Sequence, residues 1–314
     1  MHHLLSLSAP DLDQEDFLRL IDRGRAFAAE PTPAASPPLA GRTIGIYFRK
    51  TSTRTRTSFA AAAVRLGACP ISYGPADLQT NTGETVEDTI NVLSKYLEML
   101  VVRTAADPAE LRTMASMNRL PIVNAMTSDE HPTQALSDLT MLARHFGQLS
   151  GLRLLYCGEG NNTASALAYA ISRVPGMEAD FRTPPGYGLP DAVLRHADDL
   201  RQRFGGRIRH SVDAPARADA RWADVVYTTR WQTTGTTKSH ADWRERFAPY
   251  RVTPQLMDAV CSGQRAVFMH DLPAVRGEEC EADVLDGPRS IAFEQAHQKL
   301  YTAMAVIEWC ARRQ

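Results

Sequence analysis

Two α/β domains, each a doubly wound set of helices on a parallel sheet, are what this sequence predicts. Short apolar strands alternate with amphipathic helices, the pattern of a mostly parallel sheet covered on both faces. A polar, turn-rich break at residues 147–151 interrupts that alternation, which then starts again. A length of 314 residues suits two domains of ordinary size. We place the first domain at 1–147 and the second at 148–294, with a terminal helix over 295–314 packing back on the first domain.

The elements follow in order. Residues 11–29 carry Phe17, Leu18, Leu20, Ile21 and Phe27 at helical spacings, which predicts an amphipathic helix. Residues 30–38 form a loop rich in proline, alanine and serine. Strands are expected at 43–48, 71–73, 99–102 and 122–124. Between and after them come helices at 58–66, closed by Gly67, then at 85–96 and 132–146. After the break the expected strands are 152–156, 179–182, 208–210, 225–228 and 267–269. Helices are expected at 164–173 and 192–204, and a long last one at 295–310.

Composition narrows the function. Hydrophobic residues make up 44% and charged residues 23%, the values of a soluble globular protein able to bury a sizeable core. A formal net charge of −1 gives no field that would argue for nucleic acid or an anionic membrane. The N-terminus lacks the basic and apolar regions of a signal peptide, and no apolar run approaches the ~20 residues of a membrane span. Five scattered cysteines without a C-x-x-C pair read as buried or free thiols in a reducing cytoplasm. No His/Cys spacing suggests a metal, and no cofactor is expected.

Four constellations carry chemistry. In Arg49-Lys50-Thr51-Ser52-Thr53-Arg54-Thr55-Arg56-Thr57-Ser58, three arginines and six hydroxyls crowd ten positions between a strand and a helix. A lone Ser-Thr-Arg would be an ordinary capped helix with a solvated surface. This crowding at a helix N-terminus points instead to an anion site of backbone N–H groups, hydroxyls and guanidinium forks. His131-Pro132-Thr133-Gln134 opens a helix, with Pro132 suited to the first turn. His131 and Gln134 can therefore face one small ligand, the histidine donating to an oxygen that gains charge. Arg103 ends a short apolar strand, where α/β sheets place their ligands. His270-Asp271-Leu272-Pro273 follows another strand in the same way. Read singly, the last three would also serve as a structural histidine, a surface arginine and a plain turn.

Together, and in this order, these motifs resemble the aspartate/ornithine carbamoyltransferase family over nearly the whole chain. Ser52-Thr53-Arg54-Thr55 and His131-Pro132-Thr133-Gln134 are the most specific signatures. Tyr156-Cys157-Gly158-Glu159-Gly160-Asn161-Asn162 looks like the family's strand-to-Gly-x-x-Asn-Asn turn in the second domain. The resemblance implies a carbamoyl-phosphate-binding first domain, an acceptor-binding second domain, and a homotrimer or multiple of trimers. It implies that Ser52, Thr53, Arg54 and Thr55 hold the phosphate of carbamoyl phosphate while Arg103, His131 and Gln134 surround its carbamoyl group. Gln79 matches a loop position that the ornithine branch contributes from a neighbouring subunit. Asp271, Leu272 and Lys299 fall at further donor positions. In the implied reaction a neutral amine attacks the carbonyl carbon and phosphate departs with the proton. Arg103, His131 and Thr55 stabilise the oxyanion.

The acceptor side departs from the ornithine branch. Asn162 matches the family's amino-acid-binding asparagine. Thr229 stands where the family has an aspartate that grips the substrate's ammonium, and Thr233 and Thr234 replace Ser-Met. Asp271 replaces the cysteine of His-Cys-Leu-Pro, and Lys299 replaces an arginine. Thr82 stands where the aspartate branch has a lysine. Loss of a carboxylate paired to an ammonium typically costs ~2–5 kcal/mol. We therefore expect a small amine acceptor other than ornithine or aspartate, in a specialised biosynthetic pathway. The alternatives are an ornithine carbamoyltransferase that tolerates these changes, or a catalytically silent homologue that binds carbamoyl phosphate. A dinucleotide reading of Gly158-Glu159-Gly160 fails because Thr163 occupies the third glycine position. Asp271 is expected to pair with a cation of the acceptor or of the enzyme, a salt bridge to Arg276 or Lys299 being the plain alternative.

Overall fold

The computed structural model describes residues 1–8, 12–30, 37–233, 236–238 and 240–312. The chain divides into two compact units, one of residues 1–145 with 297–314 and one of residues 146–296.

Unit 1 begins with α1 (Gln14–Ala29). Asp13 caps it, accepting from the Asp16 N–H at 2.7 Å, and Glu15 and Asp16 favour the positive end of the helix dipole. The helix thus starts three residues later than the apolar pattern predicts, and residue 11, like most of the loop at 31–36, lies outside the described residues. Then follow β1 (Thr43–Phe48), α2 (Arg54–Arg65), β2 (Cys69–Tyr73), α3 (Val86–Leu93), β3 (Met99–Arg103), α4 (Ala109–Ser116), β4 (Ile122–Asn124) and α5 (Pro132–Phe146). A 3-10 turn, Gln79–Thr82, precedes α3. The strands are all parallel, in the order β2-β1-β3-β4. Leu4 adds a further parallel bridge to Val123 beyond β4. Tyr47, Ile90, Leu100, Val102, Met114 and Ile122 form one core, each large apolar side chain contributing about 1.5–3 kcal/mol on burial.

Unit 2 contains β5 (Arg153–Cys157), α6 (Asn162–Ser172), β6 (Glu178–Arg182), α7 (Asp191–Phe204), β7 (Arg207–Ser211), β8 (Val225–Thr228), α8 (Trp243–Phe247), α9 (Pro254–Val260), β9 (Val267–His270) and α10 (Ala282–Leu285). Its sheet is also parallel, in the order β7-β6-β5-β8-β9. Every residue of α6 is buried, which is why its sequence is apolar and small all round rather than amphipathic. The last helix, α11 (Ala292–Ala311), packs on unit 1 through its residues from 297 onward. There Gln298 donates to the Gly24 carbonyl at 3.3 Å, and Arg23 forms a bidentate pair with Glu308 at 2.7 and 2.9 Å.

The two parallel sheets, and the terminal helix on the first unit, match the fold that the alternation predicts. Four short helices, α4, α8, α9 and α10, had no signal: each buries only two or three residues, too few for a period to show. Among the described residues no helix is long and apolar enough to cross a membrane. Of the five cysteines, Cys69 at the start of β2 is exposed and the other four are buried.

In each sheet the strand order reverses once, between β1 and β3 and between β5 and β8. The connections leaving the carboxyl ends of those strands run in opposite directions, and open α/β sheets bind ligands in the crevice this leaves.

Candidate functional site

In unit 1 the strand register brings the motifs together. Phe48 at the end of β1 lies opposite Arg103 at the end of β3, and the Arg49 N–H donates to the Arg103 carbonyl at 2.9 Å. The segment with Ser52 and Thr53 therefore leaves the sheet beside Arg103. Helix α2 starts at Arg54, one turn before the apolar periodicity does. Its first turn is Arg54-Thr55-Arg56-Thr57, which contains no apolar residue. Thr53 occupies the N-cap with helical backbone angles, and its hydroxyl makes no capping bond, so the first N–H groups of α2 keep their capacity for an anion.

Not all of the crowded polar groups are left for such an anion. Arg49 forms a bidentate pair with Glu110 of α4, at 2.6 and 2.7 Å, and donates to the Tyr47 hydroxyl at 2.7 Å. Ser58 turns inward and donates to the Thr55 carbonyl at 3.0 Å. Arg56 lies over the Phe48 ring, 5.4 Å from its centre.

His131 precedes α5 and is buried. Burial, with Lys299 and then Arg103 nearby, holds its imidazole well below the usual histidine range. It is therefore a neutral ring with one N–H to donate. Gln134 is gripped at both ends of its amide, donating to Asp138 at 2.8 Å and accepting from the Lys299 ammonium. One amide N–H remains for a ligand. Gln79 is exposed and accepts from the Thr82 hydroxyl at 2.8 Å.

In unit 2 the turn after β5 is built by Gly158 and Gly160. A Cβ on Gly160 would lie 2.3 Å from the Gly188 carbonyl carbon, so only glycine fits there. Asn161 caps α6, accepting from Thr163 N–H at 3.0 Å and Ala164 N–H at 3.1 Å, and this sets the buried Asn162 in the first turn. Asn161 also donates to Thr233 at 3.0 Å, and Thr233 donates to Glu159 at 2.9 Å. The Lys238 ammonium pairs with Glu159 and sits over the rings of Tyr187 and Phe247, 4.8 and 5.1 Å from their centres. The segment after β8 is thereby pinned to the turn after β5. Thr234, an expected acceptor contact, lies outside the described residues.

Asp271 follows β9. Its Oδ2 accepts from Thr163 at 3.0 Å and its Oδ1 from Thr229 at 2.9 Å. Of the two enzyme cations considered for it, Arg276 belongs to the same unit and makes a bidentate pair with Asp286 at 2.7 and 2.6 Å, ten residues along the chain. Within unit 2, two neutral hydroxyl donors thus stand where a salt bridge to Arg276 was the alternative. Leu272 has left-handed backbone, φ +53°. Its N–H donates to His270 Nδ1 at 2.8 Å, and His270 Nε2 lies 3.1 Å from Glu279.

His270, Glu279 and Cys280 are close enough together to suggest a metal site, but the hydrogen bonds do not fit one. Nδ1 accepts a backbone N–H, so the proton sits on Nε2 and is given to Glu279. Burial pushes the Cys280 thiol up to about 12, which leaves it a protonated thiol rather than a thiolate ligand.

Glu279, Thr163 and the Lys238–Glu159 pair escaped the sequence reading. Their partners lie 9, 108 and 79 positions away, so no local pattern marks them.

Two family models match the chain: "Aspartate/ornithine carbamoyltransferase, carbamoyl-P binding domain" over residues 2–144, and "Aspartate/ornithine carbamoyltransferase, Asp/Orn binding domain" over 150–310. An ornithine carbamoyltransferase of Parafrankia sp. (strain EAN1pec) is 37% identical over 98% of this chain and 95% of its own. One from Methanothermobacter thermautotrophicus is 36% identical over 98% of both. Among solved structures, the ornithine carbamoyltransferase of Pyrococcus furiosus is similar at a TM-score of 0.88 and 31% identity, over 98% of this chain and 96% of that one.

Proposed function

This chain belongs to the aspartate/ornithine carbamoyltransferase family, and from that premise we propose that it transfers the carbamoyl group of carbamoyl phosphate to an amino group of a small acceptor, ornithine being the first to test. The relatives at 36–37% identity over nearly their full length are named ornithine carbamoyltransferases, and this favours ornithine over the unfamiliar acceptor suggested by the substitutions alone. The observation that carries the donor half is the cluster in unit 1. A helix N-terminus with an unused Thr53 hydroxyl begins beside the end of the strand that carries Arg103, and His131 is held neutral by burial and by the charges of Lys299 and Arg103.

The chemistry follows from those groups. Ser52, Thr53, Arg54 and the N–H groups of α2 hold the phosphate. Arg103 and the neutral His131 donate to the carbonyl oxygen as it gains charge, with Thr55 as a third donor. Such donors, fixed before reaction, are each worth about 2.7–4 kcal/mol where measured by deletion. The amine lone pair attacks the carbonyl carbon, the bond from that carbon to the phosphate-bearing oxygen breaks, and the departing phosphate takes the amine's proton. No other base is needed. Gln134, fixed by Asp138 and Lys299, orients the carbamoyl amide. In unit 2, Asn162, Thr229, Thr233 and Thr234 are assigned to the acceptor, and Leu272 is assigned to the donor through its constrained backbone.

A second reading, an amine other than ornithine, is favoured by one observation: the position expected to carry a carboxylate is a threonine, Thr229, bonded to Asp271. We assign a cytoplasmic enzyme and a homotrimer in which Gln79, exposed on its turn, reaches a neighbouring subunit; sedimentation would report the trimer directly. The deciding experiment follows phosphate release and ureido-product formation from carbamoyl phosphate with ornithine and a panel of other amines. Citrulline formation at ordinary efficiency supports the first reading. Turnover of another amine with ornithine inert supports the second, and absence of turnover with every amine sinks both.

A further inference from the structure

At the carboxyl edge of the unit 2 sheet, one carboxylate is held by hydroxyls from two other elements. Thr163 belongs to the first turn of α6, Thr229 follows β8, and Asp271 follows β9. Thr163 donates to Oδ2 at 3.0 Å and Thr229 to Oδ1 at 2.9 Å. A hydroxyl can bond an ionised carboxylate only by donating, and an ionised carboxylate offers about four lone-pair positions. Two remain open here. The Asp271 side chain is 14% exposed, sheltered enough that an unpaired negative charge is costly.

No described lysine or arginine of unit 2 pairs with it. His270 Nδ1 lies 3.5 Å from Oδ1, but that nitrogen accepts the Leu272 N–H and has no proton to give. The turn itself is fixed. The His270 N–H donates to Gln295 at 2.9 Å, and Glu279 holds both His270 and the Val275 N–H. The result is a rigidly aimed anion with neutral donors on two sides and no cation among the described residues of unit 2.

We propose that Asp271, aimed by Thr163 and Thr229, selects acceptors by pairing with a second ammonium, one other than the amine that is carbamoylated. The acceptor class is then a diamine or diamino acid, and monoamines and dicarboxylates are poor substrates. This rests on the assignment of unit 2 to the acceptor. Thr163 and Thr229 are positioning residues: they fix the direction in which the open lone pairs point.

The test uses matched compounds that differ by one ammonium, ornithine against 5-aminopentanoate and putrescine against butylamine. The full-length enzyme and its Asp271→Asn, Thr229→Val and Thr163→Val variants are compared. Wild type should prefer the member with the extra ammonium by at least roughly 30-fold in kcat/KM. Asp271→Asn should abolish that preference, lowering kcat/KM for the member with the extra ammonium at least roughly 30-fold more than for its monoamine partner. Each valine variant, which keeps the carboxylate, should lower the preference by roughly 3–10-fold. Calorimetric binding of the same compounds to the carbamoyl-phosphate-loaded enzyme separates the two claims. If no amine is carbamoylated but the diamines bind better and Asp271→Asn removes the difference, the reaction falls and the charge selection stands. Wild-type indifference to the extra ammonium in rate and binding, or an Asp271→Asn loss equal for both members of each pair, overturns the proposal.

Discussion

His131 shows what one buried side chain implies for pH. Its folded pKa lies below the usual histidine value because of burial, then Lys299, then Arg103. The unfolded chain therefore binds more protons in the interval between the folded value and roughly 6.5. The stability this neutral ring contributes is fully present above that unfolded value and is lost as pH falls through the interval. His210, half-buried against Thr183, is lowered by burial in the same sense. Urea midpoints should drop between pH 7.5 and 5.5, and His131→Gln should lose less over that interval than wild type. The same variant should keep carbamoyl phosphate binding and lose roughly 100–1,000-fold in kcat. Glu279 makes a second case. Glu279→Ala leaves the His270 Nε2–H and the Val275 N–H without a partner, in a region where both side chains are fully buried. A loss of about 2–5 kcal/mol in folding stability is expected by chemical denaturation, with Glu279→Gln losing much less because its amide oxygen still accepts.

At the scale of elements, the sequence showed strands more faithfully than helix starts. The buried strands β1, β4 and β8 fall where their apolar residues place them, because short apolar segments bounded by polar and turn residues suit a strand buried on both faces. The apolar periodicity starts α2 one turn late because its first turn carries no apolar residue. Arg54→Lys should raise the dissociation constant for carbamoyl phosphate roughly 10–100-fold, the loss of a planar two-pronged donor, and leave the acceptor KM unchanged; titration calorimetry reads the first and steady-state kinetics the second. Thr229 shows most clearly what a local reading leaves out. Taken alone it is a missing carboxylate. The structure brings its hydroxyl within 2.9 Å of Asp271, 42 positions away, so a carboxylate lies beside it just beyond the neighbouring strand. A pairing across β8 and β9 has no local signature. The Lys238–Glu159 pair was equally hidden. Lys238→Met leaves Glu159 with only Thr233 and should cost as much as ~3–5 kcal/mol, partly recovered in the Glu159→Gln/Lys238→Met double variant.

For the whole molecule, the break near residue 147 and the restart of the alternation made two α/β units legible, since each unit needs its own sheet and core. The assignment of donor to unit 1 makes a regional forecast. Saturating carbamoyl phosphate at about 100 times its dissociation constant should stabilise the fold by about 2.7 kcal/mol. Hydrogen exchange should slow first in the opening turn of α2 and around His131, and protection confined to unit 2 would reverse the assignment. The thiol inventory has a practical side. Four of the five cysteines are buried, and burial raises the thiol pKa of each of those four, which leaves them protonated and slow to alkylate. Cys69, exposed at the head of β2, is the one maleimide-reactive position of the native chain. A fluorophore placed there would report on unit 1 in every experiment above, in the unaltered sequence, with no cysteine to remove.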